Sequence, residues 1–492
     1  MEQVLATATD AHLPLEDASG SRIPVQSHDR VYTALGNTVF TGIAMGSASY
    51  GYLVGSALIA LGTTWILLVG YALGLVIGTA LTALAASLIS YRLGIDSVDA
   101  SKAALGIRGS LILLFGIIVV PLAWANVTLA MTTVGIGALI PAKTAAALSN
   151  GWLLPLIGLL IVLAAWVLLR KGAQMMERIT FYSSLIQIAV IVVVLAIIAV
   201  KFDIRAAFRA NGAPAGPLAS DRLLQLAYGI EYGVINALAL FPTFGGLARL
   251  TRHRRHLVAP WVLGYALVGC TLATITGALA AVITHTSELS DYIVGVTGTS
   301  LGAVLLTLIL IANMGTLLVN LFVSALGLQQ VSLFARLHWR DVVTAVIAPS
   351  IAVAFCTHWL LSQVMAILAY GGVIFVGITA VVGVDYLVLR KQQVSLEQIF
   401  VPTARGRYWF WGGFNWVAVG VIAGSCALYL VLFDPVSLRV YGPFRWLGAS
   451  IPSVAAAALA YYILMRLLIA RSSRGGYRTQ AAAPVETVEV RL

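Results

Sequence analysis

Long apolar runs follow one another along most of this chain, and short polar loops separate them. An α-helix needs about 20 mainly apolar residues to cross the hydrocarbon core of a bilayer. The pattern therefore predicts an all-α, multi-pass membrane protein. Twelve transmembrane segments are expected, numbered here in chain order: 34–57, 63–90, 110–140, 152–169, 179–200, 223–247, 259–284, 301–326, 342–361, 364–389, 409–433 and 447–469.

Segments 1 and 6 are interrupted by small residues or proline at corresponding places in two halves of the chain. Thr38–Ser56 contains seven glycines and serines, and Leu223–Leu247 contains four glycines, Pro242 and the acid Glu231. Irregular backbone at membrane depth is tolerated only where it is buried in protein or lines a cavity. Interrupted helices of this kind form the central site of many transporters, so a transport site is expected here. The alternative is that the small residues only let helices pack closely.

Charged residues are scarce and lie mainly on one side of the predicted membrane. The chain is 60% hydrophobic and 10% charged, whereas a soluble protein is about 25% charged. Most of the 30 Lys and Arg residues lie in the two tails and in loops 91–109, 170–178, 248–258, 327–341 and 390–408. Positive loops mark the cytoplasmic side, so both termini of a plasma-membrane protein are expected there. The net charge of +11 is thus a topology signal and does not indicate a nucleic-acid partner.

The number of segments in each half predicts an inverted repeat. Five segments (residues 34–200) begin in the cytoplasm, so the next five (residues 223–390) begin on the opposite side. The two interrupted segments then cross near the bilayer midplane as antiparallel partners. Segments 11 and 12 (residues 409–469) are additional. Residues 1–33 are expected to form a polar cytoplasmic tail, and residues 470–492 a disordered one.

Polar side chains inside segments 6 and 8 are the first candidates for chemistry. Glu231 would cost roughly 2.5–3.5 kcal/mol if it faced lipid, so it is expected to face the interior as a proton carrier, ion ligand or hydrogen-bond acceptor. Asn313, Thr316 and Asn320 are spaced three and four apart, which places them on one face of a helix. The amides of Asn313 and Asn320 could hydrogen-bond to the edge of a heterocycle. The alternatives are an acid that shapes the local potential and hydrogen bonds between helices.

Aromatic residues near these positions are candidates for stacking on a flat ligand. Trp124 lies in the middle of segment 3, whereas membrane tryptophans are commonest at the interfaces. Its indole could stack on a ligand, and a packing role is the alternative. Further candidates lie near the interruptions: Tyr50, Tyr52, Tyr232 and Phe241.

Other classes of protein lack their signatures here. The sequence contains no nucleotide-binding loop, no HExxH motif, and no pair among its three cysteines with metal-ligand spacing. An ATP-driven pump or an enzyme is therefore not predicted, and no metal site is assigned. Asp385, beside Arg390 and Lys391, is expected to form a structural ion pair or a gate contact.

Four motifs in this order resemble those of the nucleobase:cation symporter family, the purine–cytosine permeases. Their residues are GYALGLVIG (Gly70–Gly78) followed by the loop Arg92–Ser110, NMGTLLVN in segment 8, GVDYLVLRK at the end of segment 10, and GGFNWVAVGVIAGS (Gly412–Ser425). Leu105 replaces the family's usual phenylalanine, and the usual upstream arginine is missing. The motifs cover roughly residues 34–430.

The resemblance implies a LeuT-type fold, with a 5+5 inverted repeat and two additional helices, that imports a nucleobase or a related flat heterocycle with Na⁺ or H⁺. It implies that Trp124 stacks on the ligand, with Thr128 where a glutamine is common, and that Asn320 contacts it. The full predicted substrate set is Trp124, Thr128, Asn313, Asn320, Gly46, Ser47, Ser49, Tyr232 and Phe241.

Coupling to an ion is also implied by the resemblance. The family's sodium site uses carbonyls of segment 1, here Ala44, and hydroxyls of segment 8, here Thr316. Met314 and Gly315 stand where a Ser-Thr pair is expected, which favours H⁺ with Glu231 as its carrier. No other cofactor is implied.

Two alternatives remain at this point. An amino-acid or amine symporter of the same architecture could use Glu231 as its charge partner. A channel or a receptor that does not transport would show no accumulation of a ligand. The partners expected are a small heterocycle and the lipid bilayer, and the oligomeric state is left open.

Overall fold

The structure is a computed structural model that describes residues 24–140, 151–212, 217–331, 333–334, 336–435, 437–469 and 474–477. It is mostly helical, as predicted. The long helices of segments 1–6 are Leu35–Gly46 with Ser49–Leu58, Thr64–Leu93, Ser110–Leu139, Leu153–Leu169, Ala173–Lys201, and Arg222–Leu238 with Phe241–Ala248. Segment 7 consists of Ala259–Trp261, the π-helix Val262–Thr271 and Leu272–Thr284. Segment 8 is Thr299–Leu328, and segment 9 is Trp339–Val353 with Thr357–Ser362. Segment 10 is Val364–Gly383 with the π-turns Val384–Leu389, segment 11 is Trp416–Leu432, and segment 12 is Ser450–Leu464 with Met465–Ile469.

Short elements connect these helices. The short α-helices are Ser97–Leu105, Ile204–Arg209, Pro217–Ser220, Leu289–Thr297, Leu396–Ile399 and Phe444–Leu447. The 3₁₀ turns are Ser27–Asp29, Ile59–Leu61, Arg254–His256 and Arg474–Gly476. Strands Phe433–Asp434 and Arg439–Val440 pair antiparallel between segments 11 and 12.

Many of the helices are suited to a membrane. Seven helices of the described chain are long and apolar enough to cross a bilayer, and two bent pairs raise the number to nine. Leu153–Leu169 and Trp416–Leu432 are shorter apolar helices. The all-α, multi-pass prediction is confirmed at this level, while the count of twelve stays a prediction.

The two bent pairs are the segments whose interruption was predicted. Segment 1 bends by 52° between Gly46 and Ser49, and segment 6 bends by 41° between Leu238 and Phe241. In segment 6, Pro242 lies in the first turn of the second half-helix. Its missing N–H costs little there, because the first turn has no acceptor for it within the helix. Both predicted breaks are therefore confirmed.

Most of the glycines near the breaks bring helix backbones together. In segment 1, a Cβ on Gly46 would lie 2.5 Å from the backbone nitrogen of Cys270 in segment 7. In segment 2, a Cβ on Gly74 would lie 2.1 Å from the carbonyl oxygen of Ile230 in segment 6. The close-packing explanation thus holds for these glycines, and they join segment 1 to segment 7 and segment 2 to segment 6.

Parts of both tails pack onto the helices on the side with the basic loops. The backbone nitrogen of Tyr32 donates to the carbonyl of Leu250 (2.8 Å), next to the end of segment 6. The buried ion pair of Asp385 and Arg390 (2.6 Å) was predicted and is confirmed. Tyr477 also hydrogen-bonds to Asp385. Within this tail, residues 474–476 form a 3₁₀ turn and Tyr477 contacts the ion pair, while the disorder expected of residues 470–492 stays a prediction.

Replacing Gly74 with alanine tests the packing of segments 2 and 6. We expect Gly74→Ala to lower the free energy of unfolding by about 1–3 kcal/mol, because the new methyl group overlaps a backbone carbonyl. Gly420→Ala in segment 11 is the control, since nothing lies within 4 Å of the added Cβ. The thermal midpoint of the purified protein in detergent measures both. Equal midpoints would contradict this account of the glycines.

Candidate functional site

Segments 3 and 8 pack antiparallel, and their register places Trp124 and Asn320 at one level. Leu310 lies against Gly135, and Asn313 hydrogen-bonds to Thr132. Farther along the two helices, Ser324 hydrogen-bonds to Ile118 and Gly327 lies against Ile117. Trp124 and Asn320 fall between these contacts, at matching positions. The two predicted ligand contacts are thus on facing helices at the same depth.

Trp124 lies beside the break in segment 1. Its ring packs against Tyr50, with 5.2 Å between the ring centroids and 50° between the planes. Tyr50 belongs to the first turn of the second half-helix, directly after Ser49. Both rings are largely buried. This arrangement brings segment 3 and the predicted substrate segment 1 together.

Phe241 of segment 6 lies directly after the break. It begins the second half-helix and stacks on Phe375 of segment 10, with ring centroids 6.0 Å apart. Gly246, about one and a half turns later, lies against Val323 of segment 8. Since these two segments are parallel in the predicted topology, Phe241 lies near the level of Asn320. Phe241 therefore fits the predicted position.

Tyr232 does not join this group. It precedes the break in segment 6 by about two turns, and its ring contacts Phe433 at the end of segment 11. The ring of Tyr228 contacts the same Phe433. The structure thus places Tyr232 in an aromatic cluster between segments 6 and 11.

Asn313 holds the break in segment 1 together. Its Oδ1 accepts the backbone N–H of Ser49 (3.0 Å), and its Nδ2 donates to Ser49 Oγ (2.7 Å) and Thr132 Oγ1 (2.9 Å). The first N–H groups of a helix have no partner within it, so this amide caps the second half-helix. Asn313 and Ser49 thus hydrogen-bond to each other, and Asn313 also hydrogen-bonds to Thr132.

Asn320 has the opposite environment. It is 3% exposed, and no hydrogen bond of its amide is found among the described residues. Leaving a buried amide unpaired costs about 1–3 kcal/mol. The two asparagines of segment 8 lie two turns apart on one face, and only Asn320 keeps its donors and acceptor available.

The remaining predicted polar contacts bond within their own helices. Thr128 Oγ1 donates to the carbonyl of Trp124 (2.9 Å), and Ser47 Oγ donates to that of Ile43 (2.6 Å). Such i−4 bonds are common for hydroxyls inside helices. Gly46 packs its backbone against segment 7. The hydroxyls of Thr128 and Ser47 are therefore hydrogen-bonded to backbone carbonyls in this conformation.

Ala44 and Thr316 come together as predicted for the ion site. Thr316 Oγ1 donates to the carbonyl oxygen of Ala44 (2.8 Å). Ser183 of segment 5 lies across the adjacent Gly315, its Oγ 2.8 Å from the position of a Cβ there. Sequence reasoning missed Ser183, although a Ser-Ser pair at 183–184 inside an apolar run was a signal. Three oxygen-bearing residues from three segments therefore meet at this place.

Glu231 lies away from both the break and the ion residues. Its carboxylate accepts the backbone N–H groups of Ala449 (2.7 Å) and Ser450 (2.8 Å) and the hydroxyl of Ser450 (2.6 Å). It thus caps the helix of segment 12, and its negative charge suits that N-terminus. Glu231 precedes the break of segment 6 by about two turns, or roughly 12 Å, and its role as an ion carrier stays a prediction.

A buried polar cluster between the two breaks was not predicted. Tyr50 donates its hydroxyl to Tyr265 (3.2 Å) and lies 3.5 Å from Cys270 Sγ. Asn236 Nδ2, just before the break in segment 6, donates to the hydroxyl of Tyr71 (2.8 Å). These residues are far apart in the sequence, and each alone resembles an ordinary core residue.

Acidic residues tie the loop after segment 2 to the ends of segments 6 and 8. Asp96 caps the helix Ser97–Leu105, and Gln330 hydrogen-bonds to both Asp96 and Asp99. Burial, and secondly the nearby Asp99, raise the pKa of Asp96 to about 6. Burial lowers the pKa of Arg249 at the end of segment 6, against the charges of these two acids. The cluster fastens this face of the helices.

The chain matches, over residues 25–451, a family described as permeases for cytosine/purines, uracil, thiamine and allantoin. It belongs to this family. A search of curated protein sequences finds no match. The predicted family is confirmed, and the protein is a membrane transporter and not an enzyme.

The permease also resembles solved transporter structures in fold. One is Mhp1, a nucleobase-cation-symport-1 family transporter, closed with bromovinylhydantoin bound, at TM-score 0.71 and 17% identity, covering 94% of this chain and 98% of that one. The inward-facing conformation of Mhp1 has the same TM-score and identity, with 94% and 97% covered. A Na⁺-coupled sialic acid symporter in a substrate-bound outward-open state reaches TM-score 0.58 at 12% identity, with 91% and 92% covered.

Replacing Glu231 with glutamine separates a structural role from a proton carrier. We expect Glu231→Gln to lower the free energy of unfolding of the permease by about 1–2 kcal/mol, because a neutral amide caps segment 12 less well. The pH dependence of transport is expected to stay unchanged. Glu288→Gln, at an exposed acid, is the control for stability. Loss of the pH dependence in Glu231→Gln would restore the carrier role.

Proposed function

We propose that the permease is a secondary transporter that imports a nucleobase or a related flat heterocycle together with Na⁺, by alternating access. The observation that carries this proposal is Asn320, buried without a partner at the level of Trp124 and near Phe241. An amide donates and accepts at once, so it matches the adjacent N–H and C=O groups on the edge of such a ring. The faces of Trp124 and Phe241 suit the flat surface.

The absence of charge at this level argues against amino-acid transport. The buried charged side chains of the described chain lie elsewhere: Asp96, Asp99, Lys102, Arg249, Asp385 and Arg390 near the basic loops, and Glu231 against segment 12. An amino acid would bring an ammonium and a carboxylate into a site with no ionic partner, and desolvating them would be costly. A neutral heterocycle carries no such cost.

Two short helices support the inverted repeat. Ser97–Leu105 precedes segment 3 and Leu289–Thr297 precedes segment 8, and each has nine residues. Each ends at a glycine in nearly the same conformation, Gly106 with φ 91° and ψ 161° and Gly298 with φ 89° and ψ 161°. Such positive φ values favour glycine. Equivalent elements at equivalent places are expected of two copies of one unit.

The packing of the long helices follows the same symmetry. Segment 1 packs on 7 as segment 6 packs on 2, and segment 5 contacts 1 as segment 10 contacts 6. Segment 3 contacts 4 as segment 8 contacts 9. We therefore infer a core of ten transmembrane segments with two more beside it, and cytoplasmic termini in the plasma membrane from the positive loops.

Na⁺ is preferred to H⁺ as the coupling ion because oxygen atoms, and no acid, meet at Ala44 and Thr316. Hard cations bind carbonyl and hydroxyl oxygens. Gly315 lacks the hydroxyl expected from the family, but its missing side chain lets Ser183 bring one from segment 5. Ala44, Thr316 and Ser183 would hold the ion, and binding there would join segments 1, 5 and 8.

The two asparagines of segment 8 give a matched test of the ligand site. We expect Asn320→Ala to keep the thermal midpoint and to weaken heterocycle binding roughly tenfold or more, because it removes free hydrogen-bonding groups. Asn313→Ala should lower the midpoint by leaving the Ser49 N–H unpaired. Trp124→Ala should lose binding with the fold intact. Thermal shifts with cytosine, uracil, adenine, hydantoin and allantoin measure binding, since ligands stabilise the folded state. Unchanged affinity in Asn320→Ala would contradict the assignment.

Proteoliposomes with an imposed gradient test transport and its ion. We expect an inward Na⁺ gradient to drive accumulation of the heterocycle that gives the largest thermal shift. Thr316→Val should abolish this Na⁺ dependence, whereas Thr307→Val, at an exposed threonine of the same helix, should keep it. Accumulation driven by a proton gradient alone would replace Na⁺ by H⁺. Equilibration without accumulation would indicate a channel, and an absence of flux a receptor.

A further inference from the structure

The Trp124 indole is in contact on one side with an aromatic residue of the chain itself. The Tyr50 ring packs on it at a centroid distance of 5.2 Å, and each of these side chains is 7% exposed. Rings in contact at this distance leave no room for a third ring between them. A flat ligand that stacks on this face of Trp124 therefore needs the Tyr50 ring to move.

The hydroxyl of Tyr50 connects this position to three other segments. It donates to Tyr265 (3.2 Å) and lies 3.5 Å from Cys270 Sγ, both in segment 7. Tyr71 of segment 2 lies near the same thiol, and its hydroxyl accepts a hydrogen bond from Asn236 of segment 6 (2.8 Å). The cluster thus links the second half-helix of segment 1 to the region just before the break in segment 6. A shift of Tyr50 would therefore change contacts near both breaks.

The segment-7 side of these contacts has unusual backbone. Tyr265 and Cys270 lie in the π-helical stretch Val262–Thr271. Single π-turns are rare and concentrate at functional sites, so a stretch of this length in segment 7 is notable. The backbone here also packs directly on Gly42 and Gly46. The contact between segments 1 and 7 therefore combines close backbone packing, the hydroxyl contacts of Tyr50 and the hydrogen bond from Thr274 Oγ1 to the carbonyl of Gly51 (3.2 Å).

We propose that Tyr50 is a gating residue: a ligand that stacks on Trp124 displaces the Tyr50 ring, and the displacement releases its contacts with Tyr265 and Cys270. The inference rests on the proposed function, because it needs a flat ligand at Trp124. Asn313 keeps holding the first turn of the second half-helix at Ser49. Ligand binding thereby releases the hydroxyl contacts of Tyr50, while the hydrogen bonds of Asn313 and Thr274 to this half-helix stay in place.

Alkylation of Cys270 reports the release. The full-length chain has three cysteines, so Cys356→Ser with Cys426→Ser leaves Cys270 alone. Cys270 is fully buried, and N-ethylmaleimide reaches it only when the contacts open. The rate, followed by intact mass, is measured with and without cytosine, uracil, adenine, hydantoin and allantoin, each added singly. The heterocycle that binds is expected to raise the rate roughly fivefold, the effect of losing one ordinary hydrogen bond on a local opening equilibrium.

Two tyrosines of the same half-helix separate the hydroxyl from the ring. Tyr50→Phe keeps the ring on Trp124 but loses the contacts with segment 7. It should alkylate roughly fivefold faster without ligand, gain little more with ligand, and bind the heterocycle more tightly, because less must be broken. Tyr52→Phe is the matched control, since the buried Tyr52 hydroxyl has no hydrogen-bond partner in the described chain. It should match the parent protein in every measurement.

The outcomes distinguish this proposal from the proposed function. A heterocycle that raises the thermal midpoint but leaves the Cys270 rate unchanged, or slows it, overturns the gate and leaves the transport function standing. Weaker binding by Tyr50→Phe also overturns the gate, since the hydroxyl would then be a ligand contact. If none of the five compounds raises the midpoint or accumulates in proteoliposomes, the proposed function fails and the gate falls with it.

Discussion

The hydrogen bond from the Ser49 N–H to Asn313 Oδ1 is the interaction on which the centre of this permease depends. A broken helix presents N–H groups that its own backbone does not pair, and hydrocarbon offers no water in exchange. Asn313 supplies the missing acceptor from segment 8, and its Nδ2 fastens the Ser49 and Thr132 side chains. Segment 1 can therefore bend within the membrane without leaving this donor unpaired.

This constraint divides the polar face of segment 8 into different tasks. Asn313 hydrogen-bonds to Ser49 on one side of the break, and Thr316 hydrogen-bonds to the carbonyl of Ala44 on the other side. Asn320 is buried two turns from Asn313, and no hydrogen bond of its amide is found among the described residues. The same spacing that marked all three as a polar stripe hence covers a helix cap, the proposed ion contact and the proposed ligand contact, and only the neighbours of each residue tell them apart.

The glycines complete the arrangement by fixing which helices move close together. They join segment 1 to 7 and segment 2 to 6 through direct backbone contact. The tyrosine and cysteine cluster fills the space among these four segments. Segments 3 and 8 pack on each other and bring Trp124 and Asn320 to one level. The candidate site therefore lies where a glycine-packed group of four helices meets a second pair.

The features that depend on local pattern could be predicted from the amino-acid sequence alone. Apolar runs identified the helices, Gly, Ser and Pro identified both breaks, and the nearby opposite charges of Asp385 and Arg390 identified their ion pair. Four short motifs were enough to recognise the family. These signals are readable because each arises from residues close together in the chain.

The hydrogen-bond partners of the buried polar groups depend on the tertiary fold and could not be predicted from the sequence. The sequence marks Glu231 as a candidate proton carrier, whereas in the structure its carboxylate accepts hydrogen bonds from Ser450, 219 residues away. Ser183 gained meaning only across Gly315, and Tyr50 only against Trp124, Tyr265 and Cys270. A buried polar group takes its role from the donor or acceptor that satisfies it, and that partner is brought near by packing and not by sequence.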